Sequence, residues 1–240
     1  MALFIVFEGG DGSGKSAQAR HLYGLLCQNR VKARMIREPG STALGEQLRS
    51  LISLPREALA ATWSQPGAGA KRSVLVPPRA PAQLAAKELW FSLSAEAELF
   101  LFLAARAQLA AEVIRPTLAR GIAVICDRYI YSTVAYQGYG RGLDVAFLKD
   151  ANRAATGGLE PDLVVLLDIE PSRGLDRKRK DKEVTRFEEE QLEFHQRVRR
   201  GYLEQAAADP QRWLVVDASQ PRKEVGQRVW ERVQPMLGAG

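Results

Sequence analysis

Residues 3–16 read Leu-Phe-Ile-Val-Phe-Glu-Gly-Gly-Asp-Gly-Ser-Gly-Lys-Ser, an apolar run that passes directly into Gly-x-x-x-x-Gly-Lys-Ser. Gly9, Gly10, Gly12 and Gly14 carry no Cβ, so a loop built from them can turn its backbone N–H groups toward an anion. The run before the loop predicts a buried strand and the stretch after it a helix, whose positive end adds to the field at the loop. In that context Gly9, Gly10, Asp11, Gly12, Ser13, Gly14, Lys15 and Ser16 read as a phosphate-binding loop for a nucleoside triphosphate. Lys15 would reach the β- and γ-phosphates, and the Ser16 hydroxyl would ligate the Mg2+ that bridges them. The competing reading is a glycine-rich turn that binds nothing, and it leaves the flanking strand and helix unexplained.

Outward from the loop, short apolar runs alternate with helical pattern. The predicted strands are Leu3–Glu8, Ala33–Arg37, Ile122–Asp127, Leu163–Asp168 and Trp213–Asp217. Runs apolar on both faces suit a parallel sheet covered on both sides. The expected fold is therefore α/β, a doubly wound sheet of five parallel strands flanked by helices. Glu8, Arg37, Asp127, Asp168 and Asp217 fall at the carboxyl ends of strands, where ligands bind in such folds. A polar residue closing an apolar strand is equally often its exit to solvent.

The chain has 240 residues, 46 % hydrophobic and 26 % charged, and reads as a single domain over 1–240. No apolar run reaches the length of a membrane span, and no signal peptide precedes the first strand. Cys27 and Cys126 read as buried reduced thiols, which places the protein in the cytoplasm. The net charge of +6 fits an anionic partner, and nucleotides suffice, since no groove-entering module for nucleic acid is present. Residues 55–90 hold five of the twelve prolines and read as a surface insertion. The basic run Arg177-Lys-Arg-Lys-Asp-Lys182, with Arg186, reads either as a solvated helix face or as an arm that carries cations over phosphates.

Four further clusters follow the loop: Arg37-Glu-Pro-Gly-Ser-Thr42, Phe102-Leu-Ala-Ala-Arg106, Asp127-Arg-Tyr-Ile-Tyr-Ser-Thr-Val-Ala-Tyr-Gln-Gly138, and Arg177-x-Arg179 with Arg186 ahead of Phe187-Glu188. In this order and spacing the chain closely resembles the thymidylate kinases, which phosphorylate dTMP with ATP. From the residues alone, Asp127 is either an organiser of Mg2+ or a helix N-cap, and Arg128 can grip a phosphate with two donors. Phe102 and Arg106 share one helix face, and spacing alone favours a core Phe with an exposed Arg.

The resemblance implies a P-loop NTPase fold whose five-stranded parallel sheet, flanked by helices, has the order 2-3-1-4-5. It makes Phe102 and Arg106 the stacking and hydrogen-bonding partners of thymine, with Thr133 and Gln137 at the base edge and Tyr136 near the sugar. It places Asp11, Glu38 and Pro39 around the acceptor, Arg128 on the acceptor phosphate, and Ser16 and Asp127 at the Mg2+. Some members carry a catalytic arginine in the loop immediately after its Asp. Here that position is Gly12, so the resemblance assigns the catalytic cations to a small basic lid, 173–186, with Arg177, Arg179 and Arg186 joining Lys15 and Asp127. It further implies a homodimer, for which Glu98–Leu109 is a candidate surface. The rivals are a kinase of another deoxynucleotide or of a deoxynucleoside, and a nucleotide-binding regulator without catalysis.

Overall fold

The structure is a computed structural model that describes residues 2–53, 93–180, 187 and 190–237. The 55–90 insertion and Arg186 lie outside the described residues, as does the lid from 181 onward. Among the described residues five parallel strands form one sheet: β1 Phe4–Glu8, β2 Ala33–Arg37, β3 Ala123–Asp127, β4 Leu163–Asp168 and β5 Trp213–Asp217. Their order is β2-β3-β1-β4-β5, the expected one. The first and third strands each begin one residue later than the apolar pattern suggests.

Successive residues of a strand point to opposite faces, and this chain buries both. Ile5, Phe7, Ile125, Val165 and Leu167 meet Leu22 and Leu26 of α1 (Lys15–Gln28) and Val225, Val229 and Val233 of α9 (Arg222–Leu237). On the other face, Phe4, Val6, Val124 and Cys126 meet Leu109 of α3 (Ala95–Leu109) and the following turn, with Val113 and Ile114. Val164 and Leu166 pack on that side against Phe194, Val198 and Tyr202 of α8 (Leu192–Ala208). Each such side chain contributes about 1.5–3 kcal/mol by leaving water.

The remaining helices are α2 (Ala43–Ser53), α4 (Arg115–Ala119), α5 (Ile130–Thr133), α6 (Val145–Thr156) and α7 (Pro171–Lys180). Two π-helical turns interrupt the α-helical path, Ala110–Ile114 between α3 and α4 and Val134–Gly140 after α5. Such widened turns are frequent at functional sites, and the second one carries Tyr136 and Gln137. The parallel register sets Phe7 opposite Asp127 and Glu8 opposite Leu166. β1 and β3 thus end within one residue of each other while β4 runs two residues further to Asp168, and the site is built at these carboxyl ends.

Candidate active site

A cavity of about 1170 Å³ opens above those strand ends. The loop from Asp11 to Ser16 lines one part of it, and Phe102, Thr133, Tyr136 and Gln137 line another. The residues that the loop pattern assigned to the donor and those that the resemblance assigned to the acceptor therefore face one space.

Lys15 folds back over its own loop. Its Nζ donates to the Gly9 carbonyl (3.0 Å), the Gly10 carbonyl (2.7 Å) and Ser13 Oγ (3.3 Å). Burial and the neighbouring Arg128 cation push the Lys15 ammonium down to about 8, against the pull of Asp11 and Asp127. One residue on, the Ser16 hydroxyl donates to Asp127 Oδ2. A hydroxyl and a carboxylate oxygen side by side on the cavity wall are the hard donors Mg2+ prefers, so these residues fit that ion. Asp127 caps no helix. The N-cap of α5 is Tyr129, without a side-chain cap bond.

That capping work falls to Glu8. Its Oε1 accepts from the Tyr129 and Ser132 backbone N–H groups (2.9 and 3.2 Å), and its Oε2 from the Ser132 hydroxyl (2.6 Å) and the Tyr202 phenol (3.0 Å). Burial raises its pKa, while Ser132 and Arg128 pull the other way. The clamp holds the segment after β3, where Arg128 takes a left-handed backbone conformation with φ 71°. The Arg128 guanidinium is then surrounded: Nη1 donates to the Gly9 carbonyl, Ser132 Oγ and the Tyr202 phenol, and Nη2 to Asp11 Oδ1 (2.7 Å) and the Tyr136 phenol. It also lies 4.9 Å above the Tyr136 ring. Burial alone would raise the Asp11 pKa, but Arg128 and Lys15 hold it below the usual carboxylate range.

Arg106 departs from the exposed position that spacing alone favoured. It is 1 % exposed, whereas Phe102 is only half-buried and lines the cavity. Its Nε and Nη2 both meet Glu38 Oε2 (2.8 and 2.7 Å). Nη1 serves Thr133 Oγ1 (2.7 Å) and Asn152 Oδ1 (2.6 Å), and Nη2 also reaches the Tyr129 carbonyl (3.1 Å). Four hydrogen bonds and the ion pair with Glu38 hold the guanidinium within the protein. Glu38 precedes a cis peptide bond to Pro39, and its Oε1 is buried without a partner among the described residues. Burial drives its pKa up to about 7, although Arg106 opposes the shift.

Of the lid arginines, Arg177 lines the cavity and donates to the Ala218 carbonyl at 2.9 Å. Arg179 is an exposed residue that faces Asp176 at 3.8 Å, and Arg186 lies outside the described residues. The other polar strand ends serve the fold. Arg37 pairs with Glu46, Asp168 takes two bonds from Arg199, and Asp217 binds the Ser219 N–H and the Gln220 amide. Cys27 is exposed, contrary to the expectation of burial, because it lies on the face of α1 turned away from Leu22 and Leu26. Cys126 is buried in the sheet.

Sequence reasoning missed Glu98, Arg141 and Asn152: Glu98, tied to Arg141, holds Gln137, and Asn152 holds Arg106. A signal existed for Glu98, since it stands four residues before Phe102 and eight before Arg106 on one helix face.

A parallel sheet of this order, with Gly-x-x-x-x-Gly-Lys-Ser joining its first strand to the first helix, defines a P-loop nucleotide-binding protein. A family model described as thymidylate kinase matches residues 7–62 and 83–229, and the chain belongs to that family. It is 40 % identical to a thymidylate kinase from Roseiflexus sp. over 252 residues, covering 100 % of this chain and 96 % of the relative. It is 43 % identical to one from Solidesulfovibrio magneticus over 243 residues, covering 98 % of this chain and 100 % of the relative. A crystal structure of thymidylate kinase from Ehrlichia chaffeensis superposes with a TM-score of 0.66 at 28 % identity, over 97 % of this chain and 99 % of that one.

Proposed function

We propose that this chain transfers the γ-phosphoryl group of ATP to dTMP, giving dTDP and ADP. One observation carries the reading: the phosphate loop and the wall with Phe102, Thr133 and Gln137 line a single cavity of about 1170 Å³. That exceeds the roughly 300–1,000 Å³ of an ordinary small-ligand pocket and has room for two nucleotides.

The loop N–H groups and Lys15 hold the triphosphate. Arg128 binds the acceptor phosphate, and Asp11, Glu38 and Pro39 border it. Tyr136 stands by the sugar, Phe102 stacks on the base, and Arg106 orders the base wall through Thr133. A phosphate oxygen of dTMP attacks the γ-phosphorus in line, the bond to the ADP oxygen breaks, and Arg177, Arg179 and Arg186 meet the charge on the moving group. Ser16 and Asp127 would hold Mg2+, which when bound would supply charge neutralisation on the donor phosphates. Most of the catalysis is positioning and electrostatics.

The protein is proposed to work in the cytoplasm as a homodimer. Phe100 on α3, Phe147 on α6, and Leu44 and Leu51 on α2 are exposed large apolar side chains that support an interface there. Among the described residues no helix is long and apolar enough to cross a membrane.

The test is coupled ATP turnover with dTMP, dUMP, dCMP, AMP and thymidine as acceptors. Highest kcat/KM with dTMP is expected. A preference for thymidine, or ATP binding without transfer to any acceptor, overturns the reading.

A further inference from the structure

One neutral side chain on the base-side wall, Gln137, has its hydrogen-bond polarity set from behind by a buried ion. Gln137 Nε2 donates to Glu98 Oε1 at 2.7 Å, with Gln137 2 % and Glu98 1 % exposed. Glu98 is tied in turn to Arg141, whose Nε meets Oε1 (3.3 Å) and whose Nη2 meets Oε2 (3.2 Å). Arg141 cannot easily turn away. Its Nη1 is bound to Glu190 Oε1 at 2.7 Å, and its guanidinium lies 4.7 Å over the Phe194 ring. An ion-paired carboxylate only accepts, so it takes the NH2 end of the Gln137 amide and leaves the carbonyl end, Oε1, for the cavity that Gln137 lines. Thr133, four residues earlier and on the same wall, is not fixed in this way. Its Oγ1 accepts from Arg106 Nη1 and keeps both its hydroxyl hydrogen and a second lone pair, so it can meet a donor or an acceptor.

The wall therefore displays a fixed acceptor at Gln137 beside an adaptable hydroxyl at Thr133. Thymine and uracil present N3–H to the Gln137 carbonyl, and the hydroxyl can donate to their O4. Cytosine presents a bare N3 acceptor, which conflicts with the Gln137 carbonyl, whereas the hydroxyl can turn to accept from its N4 amino group. We infer that Glu98, braced by Arg141, is a specificity-determining positioning residue: it locks the Gln137 amide so that the site accepts pyrimidines carrying N3–H and rejects cytosine. Apolar contact with the 5-methyl group is a separate matter, so this lock does not distinguish dTMP from dUMP. The inference rests on the proposed reading of the cavity as a deoxynucleotide acceptor site.

Glu98→Gln keeps the shape but replaces an obligate acceptor with an amide that can face either way, which frees Gln137 to reverse. The measurement is kcat/KM for dTMP, dUMP and dCMP in the full-length protein and in E98Q. The expected result is a dTMP:dCMP ratio that narrows by about 10- to 100-fold in the variant, the effect of one buried hydrogen bond made or misdirected. The dTMP:dUMP ratio should stay within about twofold, because both bases carry N3–H and the methyl is read by packing. A merely structural role for Glu98 would lower all three acceptors together and leave both ratios unchanged, and that outcome overturns the inference. Gln137→Met serves as the second variant should E98Q not fold: it removes the acceptor and should narrow dTMP:dCMP in the same sense, with an unchanged ratio counting against the proposal. Wild-type protein inactive on every deoxynucleotide would instead defeat the kinase reading, a result distinguishable from an active wild type with unaltered ratios in the variants.

Discussion

Gly12 at the tip of the phosphate loop and Gly174 in the first turns of α7 meet backbone to backbone: a Cβ on Gly12 would lie 1.9 Å from the Gly174 carbonyl oxygen. A Cβ on Gly174 would lie 2.4 Å from the Asp11 carbonyl oxygen. Gly12 also has φ +70°, which disfavours any side chain on its own account. The contact explains why no arginine stands at this position. A side chain there would have to push the base of the lid off the loop.

Gly12→Ala and Gly174→Ala should both lower kcat/KM, by up to about 10²-fold if the lid base is displaced by an ångström or so. Gly174→Ala is the sharper test, because alanine is the better helix former by about 1 kcal/mol and would otherwise be benign. Steady-state kinetics beside thermal melting decides it. A G174A protein that is more stable and fully active would remove the contact from the mechanism.

The lid arginines should separate turnover from affinity. Arg177→Ala, Arg179→Ala and Arg186→Ala are each expected to depress kcat while the KM for ATP changes little, since arginines acting on a transferring phosphoryl group are worth roughly 10³–10⁵ in rate. Arg177 already lines the cavity, so its loss should be felt even where lid closure is partial. Three fully active variants would leave the catalytic charge unassigned.

Lys15 predicts an alkaline limb. With its ammonium pushed down to about 8, free enzyme loses that charge as the pH rises through this value, and triphosphate affinity should fall with it. Bound phosphate favours the charged form, so ATP binding near this pH should take up protons. Initial rates at subsaturating ATP should drop about tenfold per pH unit above the transition, and a flat profile to about pH 9 would exclude Lys15 as the controlling group.

Glu38 predicts a stability change at lower pH. Its folded-state pKa of about 7 lies above the ordinary 4.5, so the folded protein binds the proton more tightly than the unfolded chain does. Stability associated with this group is therefore full below pH 4.5 and is lost as pH rises toward 7. The amount is about 3 kcal/mol, since each tenfold difference in proton affinity between the folded and unfolded states is worth about 1.36 kcal/mol. Urea denaturation at mildly acid and mildly alkaline pH should show this loss in wild type and a flatter profile in Glu38→Gln. Parallel profiles would rule it out.

Arg106→Lys should cost about 3–5 kcal/mol, the range for breaking a buried ion pair, because one ammonium cannot replace a planar fork of donors directed at Glu38, Thr133, Asn152 and Tyr129. Chemical denaturation measures it. A change under about 1 kcal/mol would mean that the network is not what holds α3 to the segment after β3.

The sheet and the loop were readable because local signals specify them. Segments apolar on both faces mark buried parallel strands, and the glycines with Lys15 and Ser16 mark the anion cradle between β1 and α1. The supports of the site were not readable in this way. Glu8, Glu98 and Arg141 act across 124, 39 and 43 residues of chain on Ser132, Gln137 and Glu98, and no periodicity records such pairings. Helical spacing put Phe102 and Arg106 on one face but could not say which of them the core would take. Glu38 decides it, arriving from the end of β2 as a buried partner for Arg106. Cys27 shows the same limit, since neighbouring leucines on a helix bury only the side they share.

Arg128 has further meaning in the light of its pairing with Asp11. The guanidinium that would receive the acceptor phosphate is already occupied by a carboxylate, so the arriving group must outcompete a resident anion rather than fill a vacant cation. A dianionic phosphate can win that exchange. A nucleoside hydroxyl has no charge with which to enter it. On the proposed role of Arg128, the pair would set an admission threshold by ligand charge, met before base or sugar is inspected.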